Sequence, residues 1–220
     1  MTILEKHEIF EIEVLEKLKN NRLLEPLVFG GGTMLRLCYE LKRYSVDLDF
    51  WFIKKVSAQT YFDNFLKVLD QDYDLTDSQI KFYTLLFEIR SGNYPKRLKI
   101  EIRKEVKDCD FQEKIAYSKH STMQVLLRTH TLEQTMRNKI NALLQRGEIR
   151  DGFDIEFLLR KGIILPELNE KQLSKLNQRL DGFKEKDFKV KLGSVLEGDI
   201  RKYYIENQFG FLRDKIRSQV

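Results

Sequence analysis

Apolar residues recur at helical spacing from Ile3 to Leu18, with Ile9, Ile12, Leu15 and Leu18 on one side, and predict an amphipathic helix. A short apolar run, Leu27 to Phe29, then enters Gly30-Gly31-Gly32 and reads as a buried strand. Thr33 is positioned to cap a following helix that ends near Leu41. Ser45 to Ile53 is β-rich and predicts a strand, and Ala58 to Leu69 predicts a helix with Tyr61, Phe62, Phe65, Leu66 and Leu69 on one face. Ile80 to Arg90 and Arg97 to Lys104 read as two strands joined by the turn-rich Ser91 to Pro95. From Leu132 the period is helical: Leu132 to Gln145 ends at Gly147, Asp151 to Leu159 stops before Gly162 and Pro166, and further segments follow from Glu170. The pattern predicts an α+β fold, with a mixed sheet and flanking helices over residues 1–120 and a helical domain over 121–220.

Periodicity also places the chemistry. Residues i and i+2 of a strand share a face, so Asp47 and Asp49 project together while Val46, Leu48 and Phe50 project the other way. Two carboxylates held side by side repel unless a cation lies between them. On the later strand Lys99, Glu101 and Arg103 share one face and Leu98, Ile100 and Ile102 the other, which makes Glu101 a third candidate carboxylate. Three carboxylates can hold two Mg²⁺ ions, the arrangement that clamps attacking and leaving oxygens in phosphoryl or nucleotidyl transfer. The glycine turn offers backbone N–H groups to phosphate. In the helical half, Lys139 and Arg146 are seven residues apart and can face the same way, either toward phosphate or into an ion-pair network with Arg150, Asp151 and Asp154.

Composition narrows the classes. The chain has 220 residues and a net charge of +5, all of it in the C-terminal half: residues 121–220 carry 19 Lys/Arg against 14 Asp/Glu, leaving 20 against 20 before them. That surplus fits a polyanion such as RNA or a triphosphate. Two cysteines, Cys38 and Cys109, need no disulfide framework, and no apolar run approaches the roughly 18 residues of a membrane span. Met1 to Glu13 is charged and amphipathic, unlike a secretory signal, so the expected setting is the cytoplasm without a membrane. His7, His120 and His130 are scattered without metal-ligand spacing, and no Walker loop, Rossmann fingerprint or serine-hydrolase elbow occurs.

The string G-G-T-x-L from Gly31 to Leu35, followed by R-x-S-x-D-x-D from Arg43 to Asp49, resembles the AbiEii/AbiGii family of nucleotidyltransferase-like toxins, within the DNA polymerase β-type superfamily. Lys99-Ile100-Glu101 is similar to the family's lysine-x-acid strand, and Lys139 to Asp154 to its K-x-x-A-L-x-x-R-x-x-x-R-D-x-x-D segment. The resemblance covers roughly residues 30–160, with Glu101 standing where an aspartate is commoner. It implies a Mg²⁺-dependent toxin that transfers NMP from an NTP to an acceptor hydroxyl, most readily a tRNA 3′ end, with a cognate antitoxin and a helical domain closing the nucleotide cleft. Alternatives keep the site but modify a protein or transfer phosphate, or retain the fold only as an RNA- or partner-binding module. The same resemblance implies Asp47, Asp49 and Glu101 as metal-binding and catalytic residues. It implies nucleotide contacts from Gly31, Gly32, Thr33, Arg43, Ser45, Lys99, Lys139, Arg146 and Asp154.

Overall fold

The structure is a computed structural model and describes residues 1–218. Its contacts divide the chain into two units: residues 1–40 with 44–130, and residues 41–43 with the segment from Thr131 onward. The first unit therefore runs about ten residues past the expected boundary at 120, and it claims three strands that the sequence pattern did not indicate.

That first unit holds α1 (Ile3–Asn20), β1 (Leu27–Gly30), α2 (Gly31–Tyr39), β2 (Asp47–Phe52), α3 (Ala58–Leu69), β3 (Asp74–Ile80), β4 (Thr84–Arg90), β5 (Leu98–Arg103), β6 (Phe111–Tyr117) and β7 (Gln124–His130). The seven strands form one mixed sheet in the order β3-β4-β5-β2-β1-β7-β6, with β2 parallel to β5, β1 parallel to β7 and the other pairs antiparallel. The centre of the sheet alternates as period 2 requires. Leu48, Phe50, Ile100, Ile102 and Phe87 are buried on one face, and Phe62 and Phe65 of α3 stack on Phe87 at 4.9 and 4.4 Å.

The edges escaped sequence reading for a physical reason. The expected strand Ile80 to Arg90 forms from Thr84 onward as β4, while Ile80 ends β3 and the hairpin between them turns at Phe82-Tyr83. β3 is an edge strand of mostly polar residues, so no apolar face marks it. On β6, Ala116 alone is fully buried while Phe111, Ile115 and Tyr117 are exposed, the inverse of the usual signal.

The second unit is helical: α4 (Leu132–Arg146), α5 (Ile149–Arg160), α6 (Glu170–Asp181), a π-helical segment Asp187–Leu192, a short 3₁₀ turn, α7 (Gly198–Asn207) and α8 (Gly210–Arg217). Thr131 caps α4 by accepting from the Gln134 N–H, and Gly147 ends it at φ +67°. Fully buried Glu156 accepts from Tyr204 Oη at 2.9 Å and the Leu212 N–H at 3.3 Å, tying the last two helices to α5. Leu41–Arg43 joins this unit, and Arg43 forms a β-bridge with Leu196. No helix among the described residues is long and apolar enough to cross a membrane.

Candidate active site

Register brings the acidic residues together. Asp47 lies opposite Lys99 and Asp49 opposite Glu101 across the parallel β2–β5 pair. All four side chains therefore stand on one face, away from Leu48 and Phe50. Lys99 Nζ sits 3.8 Å from Asp47 Oδ2 and 3.4 Å from Glu101 Oε1. Burial works to lower the Lys99 pKa, but the charges of Asp47 and Glu101 outweigh it and raise the value. Asp47, Glu101 and Lys99 side chains keep 34%, 24% and 38% of their exposure, so the group is open to solvent and ligands.

The glycine turn fits against this group. Gly30 pairs with Asp49 on β1, and Gly31 adopts φ +76°, a conformation that disfavours any side chain. A Cβ at Gly31 would also overlap the Asp49 carboxylate, so the backbone can approach only because the position is glycine. The first-turn amides of α2 have no partners within the helix, and Gly31, the first of them, sits beside the Asp49 carboxylate. Gly31 is partly exposed, whereas Gly32 and Thr33 are buried.

Thr33 differs from the sequence expectation twice. It lies within the first turn of α2, whose N-cap is Gly30, and its hydroxyl donates to the Asp47 carbonyl at 2.6 Å. A hydroxyl committed to a strand carbonyl is a brace and not a free phosphate ligand. The preceding carbonyl, Val46, accepts from His7 Nε2 at 3.1 Å. Buried donors from α1 and α2 thus hold the carbonyls immediately before and at Asp47. Burial lowers the His7 pKa, while burial and then the neighbouring Glu8 and Asp47 push Glu11, one turn on, well above the usual carboxylate range. A lone histidine on an amphipathic helix gave no sequence signal for this contact. Trp51 could have been found, because it continues the Asp47–Asp49 face by one repeat.

The remaining basic residues form a second cluster, inside the helical unit. Arg43 Nε and Nη2 reach Asp154 Oδ1 and Oδ2, each at 2.7 Å, and Lys139 Nζ lies 2.6 Å from Asp154 Oδ2 and 3.3 Å from Asp151 Oδ1. Arg146 completes the chain with 2.7 and 2.8 Å bonds to Asp151. Both aspartates are wholly buried, and so is Arg43 at 2% exposure. Burial favours the neutral form of Asp154, but Arg43 and Lys139 outweigh it and hold its carboxyl below the ordinary value. Arg43, expected near nucleotide from its place in the R-x-S-x-D-x-D string, is instead locked in a bidentate pair within this unit. Arg150 is exposed and has no ion-pair partner among the described residues; Ser45 is partly exposed, two residues before Asp47.

The carboxylates suit a hard divalent cation by chemistry and by placement on one face. Among the described residues, no three or more acidic, histidine or cysteine side chains are gathered into a preformed metal cage. Mg²⁺ does not require one, since it keeps waters and takes the rest of its shell from substrate phosphates. Asp47, Asp49 and Glu101 therefore fit a divalent metal that draws the rest of its shell from water or a ligand, with Lys99 as the cation beside them.

Comparison with known proteins gives a family and a fold. The family model for the nucleotidyl transferase AbiEii toxin, of type IV toxin–antitoxin systems, matches residues 13–217. Among solved structures, a candidate nucleotidyltransferase from H. pylori is similar at a TM-score of 0.55 and 19% identity, covering 96% of this chain and 97% of its own. JHP933 from Helicobacter pylori is similar at 0.50 and 22%, covering 95% and 94%. MenT4, a nucleotidyltransferase toxin from Mycobacterium tuberculosis, aligns at 0.49 and 15%, covering 100% and 93%. No curated protein matches the sequence.

Proposed function

The chain belongs to the AbiEii nucleotidyltransferase toxin family, and from that premise we propose that it transfers NMP from an NTP to the 3′ hydroxyl of an RNA, tRNA foremost, using Mg²⁺ in the cytoplasm. The family is enzymatic, takes an NTP with a divalent metal, and works against an antitoxin partner. In the proposed reaction the 3′ oxygen bonds to the α-phosphorus, the bond from that phosphorus to the bridging oxygen breaks, and pyrophosphate leaves with the NMP now esterified to the RNA.

The observation that supports this reading is the β2–β5 register, which sets Glu101 beside Asp49 on the face that Gly31 approaches. Asp47, Asp49 and Glu101 would hold the metal, two ions in our reading, which when bound neutralises phosphate charge and lowers the pKa of the attacking hydroxyl. Glu101 would be positioned to accept that proton. Gly31 would let the phosphates approach the chain, and Lys99, beside Asp47 and Glu101, would be free to pair with phosphate if the carboxylates held a metal. Thr33 acts through the Asp47 carbonyl.

The test incubates purified protein with each labelled NTP, Mg²⁺ and total RNA. Label at RNA 3′ ends, lost on chelation of the metal, is the expected result. Label on protein with RNA intact would make a protein hydroxyl the acceptor, and RNA cleavage without NTP would make the site a nuclease. For the helical cluster, Lys139→Met is informative: loss of NTP affinity with stability kept assigns Lys139 to the triphosphate, and loss of stability alone assigns it to its own unit.

A further inference from the structure

Two aromatic residues, Phe82 and Tyr83, make the turn between β3 and β4, closed by the Lys81 N–H donating to the Thr84 carbonyl at 2.8 Å. Glycine and asparagine dominate turns of this length. Here the rings are 82% and 69% exposed and touch edge-to-face at 4.5 Å. A solvated turn has no packing need for an aromatic, let alone two, so their hydration cost calls for a ligand.

The location says which ligand. Thr84 pairs with Arg103, Arg103 pairs with Trp51, and the Lys104 N–H donates to the Tyr83 carbonyl at 2.9 Å. The turn thus stands at the ends of β2 and β5, about three residue rises or ~10 Å beyond Glu101. Trp51, the chain's single tryptophan, is level with Arg103 and partly exposed on the Asp49 face; its ring leans away from the turn, over Gly30 to His130 at 4.8 Å, and so lines the other side of the acidic group. The unpaired charges here are basic: Lys81 and Arg103 are exposed, Lys104 partly so, and none of them has an acidic partner among the described residues, while the adjacent Glu105 is neutralised by Lys107 at 3.0 Å.

Separated aromatic faces with unpaired cations, leading away from a transfer site, match single-stranded nucleic acid, whose bases stack while its phosphates meet Lys and Arg. We propose that this ledge is the track for the 3′ end of a single-stranded RNA acceptor, with Trp51 beneath a base near the reacting end and Phe82-Tyr83 gripping nucleotides upstream. The proposal rests on the RNA-transfer reading above and adds the surface that selects the acceptor.

The test uses the full chain and a 5′-fluorescein single-stranded RNA 12-mer with a free 3′ hydroxyl, read by anisotropy. Phe82→Ala/Tyr83→Ala, whose side chains are solvated, is expected to weaken RNA binding at least ~10-fold while Mg²⁺-NTP still raises Tm as in the wild type. Lys81→Gln is expected to lower the salt slope of RNA binding by about one. RNA is expected to quench Trp51 fluorescence. Unchanged RNA affinity in the double variant, with wild type still labelling RNA, overturns the ledge alone. Failure of the wild type to bind or label RNA overturns the ledge and the RNA reading together. Loss of protein labelling in the double variant with RNA binding intact overturns the ledge in favour of a protein-docking surface.

Discussion

Two clusters in this protein use nearly the same side chains to opposite ends. On the sheet, Asp47, Asp49 and Glu101 set three carboxylates against one ammonium, Lys99, on a face that keeps much of its solvent exposure. In the helical unit, Arg43, Lys139 and Arg146 set three cations against the fully buried Asp151 and Asp154, with contacts of 2.6–3.3 Å. Buried ions survive only when hydrogen-bonded and paired, and removing one partner strands the other. Exposed like charges survive because water screens them, and they stay within reach of a cation from solvent. Removing a member of the buried set is therefore costly to the fold, whereas the open set can exchange its partner for a ligand.

The comparison can be broken most forcefully at Asp49. Asp49→Asn is expected to reduce nucleotidyl transfer about a thousandfold or more, roughly 4 kcal/mol of lost transition-state stabilisation, with Tm nearly unchanged; end-point labelling from a radioactive NTP measures it. Asp154→Ala should show the inverse signature, costing about 3–5 kcal/mol of stability by leaving Arg43 and Lys139 unneutralised in the interior, as read by denaturant titration.

Acid sharpens the contrast between ionised and neutral buried groups. Burial holds His130 down at about 4 against an ordinary 6.5, so the unfolded chain takes up a proton first as pH falls. Its contribution is full above pH 6.5 and is lost between 6.5 and 4, about 3 kcal/mol in all. His130→Gln should flatten that part of the stability–pH curve.

Smaller effects follow at the rim of the open cluster. Gly31→Ala should cost about 1–2 kcal/mol from its positive φ and lower activity far more than stability, by displacing the Asp49 carboxylate. Asp47→Ala should change apo stability by less than about 1 kcal/mol, since its partner Lys99 is exposed, yet abolish the rise in Tm given by Mg²⁺ and NTP together. An Asp47→Ala variant that unfolds, or that keeps its ligand stabilisation, would remove the open cluster from the chemistry.

Periodicity on its own determined that Asp47 and Asp49 share a face, that Leu48 and Phe50 fill the other, and that helices dominate from Leu132 on, because side-chain direction follows backbone repeat within one element. The spacing of Lys139 and Arg146 likewise reported a common helix face. Only the tertiary structure decided that Glu101 lies beside Asp49, since strand register depends on which strands pair and not on either strand alone. It also decided that Arg43 leaves its own motif to neutralise Asp154, that the Thr33 hydroxyl braces a strand, and that His7 reaches Val46. These contacts join residues up to 111 positions apart, and short-range pattern carries no information about such distances. The edge strands β3 and β6 stayed hidden for the converse reason: strands solvated at a sheet's rim need no apolar alternation, so their sequence is free to serve a ligand.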